Sequence, residues 1–328
     1  MFADWTSRPK IELHLHLEGA VSLGTLVQLG QKNDVRLPGH LLKGDAINFR
    51  TFDEFVDTYT AVVDALQSEA DFLLPLADVI HQVREQNMQY CEVSWTPFPY
   101  MQRGLDAGRI LALLNEQLAL EGLRDKVFFI IDVQRDHDPE TAEWVYREVV
   151  QPPDMNIAGV GLTGRELVRP SAVFQPFFDK ARDLGLGLTA HAGEYGPPEV
   201  IRECVEILGV SRLGHGIRAV EDPALLEMLL ERQIHFEISP TSNVLLERVA
   251  DYPYHPVRQL FDLGCSVGIN TDDPGIFQTT LSREYDLLAR HLDFSEADIR
   301  QTLLYSAAAA FCDTGKKQQL VRGFGAGE

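Results

Sequence analysis

Short apolar runs alternate with helix-period stretches along most of this chain, and that alternation constrains its fold more than any other feature. The runs are 11–17, 89–95, 127–133, 157–162, 186–191, 212–214, 234–238 and 266–270. Between most of them lie stretches of helical period, at 107–123, 139–149, 176–184, 198–208, 223–232 and 256–263. Strand followed by helix, repeated, is the pattern of a parallel sheet with helices on its outer face. From Ile157 onward the runs begin about 22 to 32 residues apart, room for one strand and one helix and too little for a separate domain. Eight such units predict an α/β chain closed into a (β/α)8 TIM barrel, with residues 1–328 as one domain. The interval between the first two runs is longer. Segments 52–63 and 72–83 read as helices, and the region of about 34–85 is expected to include a helical lid over the C-terminal mouth. Phe52, Phe55 and Tyr59 fall on one face of that helix, which suits core packing or the lining of a lid. Ser295, with Asp298 three positions on, caps a last helix over 296–311. Residues 322–328 are expected to form a flexible tail.

The strand 11–17 poses the chemical question. Ile11, Leu13, Leu15 and Leu17 alternate with Glu12, His14, His16 and Glu18, and successive side chains of a strand face opposite ways. In a parallel barrel neither face meets bulk water. The leucine face is expected against helices and the Glu/His face inside the barrel, where unpaired charge is costly. A cation shared by the two imidazoles removes that cost. Other strand ends support the idea: "LTAHAGE" places His191 and Glu194, "RLGHG" places His215, and "GINTDDP" places Asp272 and Asp273. Barrel active sites lie at that end of the strands. Three neutral imidazoles and one carboxylate suit Zn²⁺ with an open position for water, so His14, His16, His191 and Asp272 are the expected ligands of one ion. Iron or manganese also accept such donors. His215, Asp273 and Glu194 remain to handle protons. Strand 157–162 has no lysine to bridge a second metal.

Composition narrows the partners. With 49 acidic and 29 basic residues the net charge is -20, which argues against nucleic acid and anionic membranes. No basic and apolar leader opens the sequence, and no apolar run approaches the roughly 20 residues that span a bilayer. Cys91, Cys204, Cys265 and Cys312 are far apart in sequence. They read as buried free thiols of a reducing compartment, so a cytoplasmic location is expected. Monomer and homo-oligomer both stay open.

The segments "PKIELHLHLEGA", "HAGE", "LGHGIR", "SPTSN" and "NTDDP" resemble, in order and spacing, the adenosine and adenine deaminases of the amidohydrolase superfamily, from about residue 9 to residue 311. The resemblance implies a zinc barrel that hydrolyses the 6-amino group of a purine nucleoside, adenosine or adenosine-like, to the 6-oxo product and ammonia. By position it implies that His215 orients the attacking water or accepts its proton. Glu194 protonates N1, Asp273 holds N7 and the attacking hydroxyl, and the Gly164 N–H meets N3. His16 and Glu18 are further candidate substrate contacts, Glu18 at the position that meets the ribose. Glu18 stands where adenosine deaminases carry Asp, and "GLTGRE" departs from the runs of both adenosine and adenine subgroups. Arg165 within that run is a candidate anion contact. Adenine and the 5′-extended nucleoside 6-aminodeoxyfutalosine are therefore the alternative substrates.

Two patterns compete and lose. Gly159, Gly161 and Gly164 spell a dinucleotide fingerprint with Asp183 about 20 residues on, but Pro170 interrupts the helix the motif requires. The P-C-x-x-C element of cytidine-type deaminases is absent from the sequence. His40, His81, His137, His235, His255 and His291 read as surface or satisfied core residues, His255 with a capping or packing role ahead of its helix.

Overall fold

A computed structural model describes residues 5–41, 47, 49, 51–151 and 155–325. Eight parallel strands follow one another around the sheet in sequence order. They are β1 (Lys10–His16), β2 (Met88–Trp95), β3 (Val127–Gln134), β4 (Ile157–Thr163), β5 (Gly187–Ala192), β6 (Arg212–His215), β7 (His235–Ile238) and β8 (Ser266–Ile269). Leu15 bridges to Asp272 beyond the end of β8. The His16 N–H donates to the Asp272 carbonyl and the Asp272 N–H to the His14 carbonyl, both at 2.9 Å. The Leu13 N–H adds a bond to Asn270 Oδ1 at 2.9 Å. The sheet is thus the expected TIM barrel, and its β8–β1 seam lies beside the histidine pair.

The expectation for β1 needs one correction. The register shifts between Glu12 and Leu15, so β1 carries one residue more than β2 does there. Glu12 pairs beside Cys91, on the face of Leu15 and Val93, whereas His16 pairs beside Ser94 on the opposite face. A single inserted residue turns a side chain to the other side of a sheet. Glu12 therefore leaves the histidine face. It is fully buried and accepts from the Thr271 N–H and Oγ1 at 3.2 and 2.9 Å. Burial pushes its carboxyl up to about 8 despite those bonds.

At the base of the barrel an aromatic ring packs against β4 and β5. Gly159 and Gly187 are paired neighbours on β4 and β5, and Phe311 fills the space they leave. A Cβ on Gly187 would lie 2.1 Å from the Phe311 ring. The Arg212 guanidinium stacks 3.5 Å above that ring.

Between β1 and β2 lie α1 (Leu23–Lys32), α2 (Phe52–Ala65) and α3 (Leu73–Glu85). Ser22 caps α1 and Thr51 caps α2 through their hydroxyls. The helix α3 packs on β2 as an ordinary barrel helix. Of these three helices α2 reaches the mouth, where Phe55 and Tyr59 line the same cavity as Asp273. Phe55 stacks on Phe277 at 5.4 Å. The Phe52 side chain and residues 42–46, 48 and 50 of the expected lid lie outside the described residues. The helix Glu296–Ala309 begins with the expected capping box of Ser295 and Asp298.

The expected flexible tail is corrected in part. Residues 322–325 complete the helix Thr314–Gly325. Its Phe324 is buried, and its carbonyl accepts from Arg300 Nε at 2.8 Å. An aromatic anchor and a backbone bond outweigh the glycine-rich composition. Residues 326–328 lie outside the described residues. Glycines 159, 161 and 164 open no helix, because the chain after β4 next becomes α-helical at Gln175–Asp183.

Replacing Gly187 by Ala forces the Phe311 ring to move. The expected result is a loss of about 1–3 kcal/mol in urea unfolding, typical of an overpacked core.

Candidate active site

The C-terminal ends of β1, β5, β6 and β8 bring His14, His16, His191, His215 and Asp272 together. Ring centroids of His14 lie 5.2, 4.6 and 5.2 Å from those of His16, His191 and His215. Ligand-capable atoms of His14, His16 and His191 fall within 4.8 Å of one another, as do those of His14, His215 and Asp272. Asp272 aims Oδ1 at Nε2 of His14 and of His16, at 3.3 and 3.2 Å. Its Oδ2 accepts from Ser242 Oγ at 2.7 Å.

This donor set fits a divalent ion. His14 Nε2 is buried and makes no hydrogen bond although Asp272 Oδ1 is near. Burial, with His14 and His215 close by, holds the His191 imidazole well below its ordinary range, so its lone pair is free to bind a cation. Gly214 makes room for the cluster. A Cβ there would stand 2.7 Å from His191 Cδ2 and 2.8 Å from His14 Cε1. Nitrogen and carboxylate donors at this spacing are those that Zn²⁺ takes.

Two of these residues have unusual backbones. His215 and Asp272 have φ of 64° and 63°, a left-handed region that costs a non-glycine residue about 1–3 kcal/mol. Asp272 is held there by its bonds to the His14 carbonyl and the His16 N–H. Both residues thereby turn into the rim at the point where their strands end.

Beneath the imidazoles lies a layer of buried charge. His14 Nδ1 is 2.8 Å from Glu237 Oε2, and Arg212 Nε is 2.6 Å from Glu237 Oε1. Arg212 also pairs with Glu92, which accepts from Tyr90 Oη and the Phe311 N–H, both at 2.7 Å. Burial pushes the Glu237 carboxyl up, but Arg212 and His14 outweigh it and hold it at about 2. Glu237 is thus a carboxylate that accepts a hydrogen bond from the His14 Nδ1–H and leaves Nε2 facing the rim.

The cavity above the cluster has a volume of about 340 Å³ and is lined by His16, Glu194, His215, Asp272 and Asp273 among others. A larger hollow of about 870 Å³ opens at the opposite end of the barrel and contains none of these five. Burial and the nearby Asp272 raise the Glu194 carboxyl to about 7, against the pull of Arg248 at 3.6 Å. Burial and Asp272 also raise Asp273, well above the carboxylate range. Its Oδ1 is buried and unbonded, and it occupies the space that a Cβ on Gly19 would take. Gly164 lines the cavity beside Arg165.

Glu18 is buried and absent from the cavity wall. Tyr100 Oη donates to its Oε1 at 2.8 Å, while Oε2 has no partner. Burial raises its carboxyl to about 7. Arg165 is exposed and spends its charge on Asp136, with Nε 2.5 Å from Oδ1.

Several residues of the site escaped the sequence reading. Glu166 accepts from the backbone N–H groups of Gly193, Glu194 and Tyr195 at 2.6, 3.0 and 3.0 Å, pinning the loop that carries Glu194. Asn243 connects His215 to His255 through its side-chain amide. Glu92, Arg212, Glu237 and Asp132, which lies 3.8 Å from His16 Nδ1, carry a readable signal, each a charged side chain on a buried barrel strand. Glu166 and Asn243 close the segments "GLTGRE" and "SPTSN", where no pattern gives either a role, and Arg248 sits in a turn with no signal.

Comparison with known proteins agrees with this geometry. The family model described as adenosine deaminase matches residues 9–324. The chain is similar to the adenine deaminase of Stutzerimonas stutzeri, with 36% identity over 303 residues, 91% of this chain and 96% of the relative. Among solved structures it is similar to an adenine deaminase from Arthrobacter aurescens, with a TM-score of 0.90 and 27% identity over 98% of this chain and 99% of the other. It is also similar to an amidohydrolase from Burkhoderia ambifaria solved with bound Zn, with a TM-score of 0.88 and 26% identity over 98% and 91% of the two chains.

Changing Glu237 to Gln removes the charge that orients His14. Affinity for Zn²⁺, read by competition with a chromogenic chelator, is expected to fall about 10–100-fold, with the far-UV spectrum unchanged.

Proposed function

The chain belongs to the adenosine deaminase family, hydrolases of C–N bonds in cyclic amidines, and from that premise we propose that it converts adenine and water to hypoxanthine and ammonia with one bound Zn²⁺. The observation that carries the reading is the convergence of three imidazoles and Asp272 on one cavity that Glu194 and Asp273 also face. The free base is favoured over a nucleoside by the relatives named adenine deaminase. The arginine expected to meet an anionic extension is already neutralised by Asp136, which counts against a 5′-acidic nucleoside.

His14, His16, His191 and Asp272 would hold the ion. When bound, it would lower the pKa of a water molecule to around 7. The remaining steps belong to the chain's own groups. Glu194, protonated near neutrality because it is buried, donates to N1 as the water oxygen adds to C6. Asp273, also kept protonated by burial and by Asp272, donates to N7, an acceptor in the free base. The Gly164 N–H meets N3. Glu18, buried behind the cavity wall with one oxygen unsatisfied and Asp273 beside it, is a positioning residue for Asp273 in this reading. His16 also lines the cavity, and His215 orients the attacking water. One proton of the water restores the Glu194 carboxyl; the proton left on the added hydroxyl passes to the departing nitrogen as the C6–N bond breaks, yielding ammonia and the 6-oxo base.

Ammonia release is expected to be fastest with adenine among adenine, adenosine, 2′-deoxyadenosine, methylthioadenosine and 6-aminodeoxyfutalosine. A higher kcat/KM for any nucleoside would reject the free-base assignment.

Glu194→Gln is expected to lower kcat by about 10²–10⁴-fold, the usual weight of a positioned acid, while bound metal measured by elemental analysis stays at one per chain.

An acid acts only while protonated, and the raised value keeps Glu194 protonated below about 7. The kcat/KM for adenine should therefore fall as pH rises through that value, as a pH–rate profile would show.

A further inference from the structure

His215 reaches the cavity with Nε2, which lies 3.9 Å from Asp272 Oδ2. Whether that nitrogen offers a proton or a lone pair depends on what bonds Nδ1 on the other side of the ring. The answer comes from a chain of three hydrogen bonds that starts at a backbone amide.

Pro256 has no N–H, so Val257 supplies the first free amide of the helix Val257–Asp262. That amide donates to His255 Nδ1 at 3.1 Å. A nitrogen that accepts carries no proton, so neutral His255 must carry its proton on Nε2. His255 Nε2 is 3.1 Å from Asn243 Oδ1 and donates to it. With its oxygen so engaged, Asn243 turns Nδ2 to His215 Nδ1, also at 3.1 Å. An amide nitrogen only donates, so His215 Nδ1 accepts and holds no proton. Each step follows from the one before, and the first rests on a backbone N–H that cannot be reversed.

His215, Asn243 and His255 are all buried, so water does not compete for these bonds. Asn243 is held in place as well. Its N–H donates to Ser239, and its carbonyl accepts from the N–H groups of Arg248 and Val249 at 2.8 and 2.9 Å.

We propose that His255 and Asn243 are positioning residues that lock His215 in the tautomer with its proton on Nε2, so that His215 donates a hydrogen bond to the attacking water and is not the base that deprotonates it. This deepens the reading of the site as an aminohydrolase and rests on it for the role of the water; the tautomer itself does not. Of the two roles implied by family resemblance, orienting the water or taking its proton, the relay selects the first. A donor on that side would hold the oxygen with a lone pair directed at the ring carbon.

Two variants of His255 separate the relay from a packing or capping role. Asn places its amide oxygen near the position of Nδ1, so His255→Asn keeps the bond to Val257 and loses the one to Asn243. Gln places its amide nitrogen near the position of Nε2, so His255→Gln keeps the bond to Asn243 and loses the helix cap. In the metal-loaded protein His255→Asn is expected to lower kcat about 10–100-fold, as loss of an outer partner does, with KM and Tm nearly unchanged. His255→Gln is expected to restore most of that turnover while lowering Tm. Equal losses in the two, or a larger loss in His255→Gln, would overturn the relay. Long-range proton–nitrogen spectra of ¹⁵N-histidine-labelled protein give a readout free of substrate: His215 should show a protonated Nε2 and a bare Nδ1, and the reverse pattern would also overturn it. If the wild type releases no ammonia from any 6-aminopurine, the proposed function fails while these spectra still decide the tautomer.

Discussion

An ionised carboxylate in the dry centre of the barrel, Glu237, holds the rest of the site in order. Alone at that depth it would take a proton. Arg212 on the neighbouring strand keeps it charged, and Glu92 balances the second edge of the guanidinium. The charge is then passed upward to His14. Buried ion pairs of this kind add little net stability compared with apolar packing, but they are costly to break singly. Their use here is directional, since they decide which nitrogen of His14 faces the rim.

The same arrangement recurs around the rim. Three groups that face the cavity, Asp272, Glu194 and His215, are each fixed by a partner from another part of the fold. Ser242 holds one oxygen of Asp272, and Glu166 holds the loop of Glu194 through three backbone amides. Asn243 faces His215. Donors and acceptors set before substrate arrives need little rearrangement during reaction, which is where much of the rate of such sites originates. The left-handed backbones of His215 and Asp272 belong to this scheme. They are unfavourable locally and persist because the strands around them leave no alternative.

The division between what could be read in the chain and what could not has a physical basis. Periodicity is local, so eight strands, their helices and the closed barrel were legible, with strand limits close to those found. A histidine pair on one strand and acids or imidazoles after three others were legible because a buried polar group at a strand end is improbable without a use. Errors arose where a local rule met a tertiary one. Glu12 followed the alternation of β1, but a one-residue register shift against β2 turned it away from its histidine neighbours. The glycine-rich end looked loose, yet Phe324 anchors it against the body of the protein.

By itself the amino-acid sequence determined the order of strands and helices, the barrel they close, and the residues that reach its mouth, because these depend on side-chain period and on the cost of burying polar groups. Only the tertiary structure decided that Glu237 orients His14, that Arg165 is neutralised by Asp136, and that a backbone amide at Val257 governs His215 from three hydrogen bonds away. Apart from the local bond of Val257 to His255, those contacts join residues 12 to 223 positions apart, and no local pattern encodes a distance between side chains that meet only when the barrel closes.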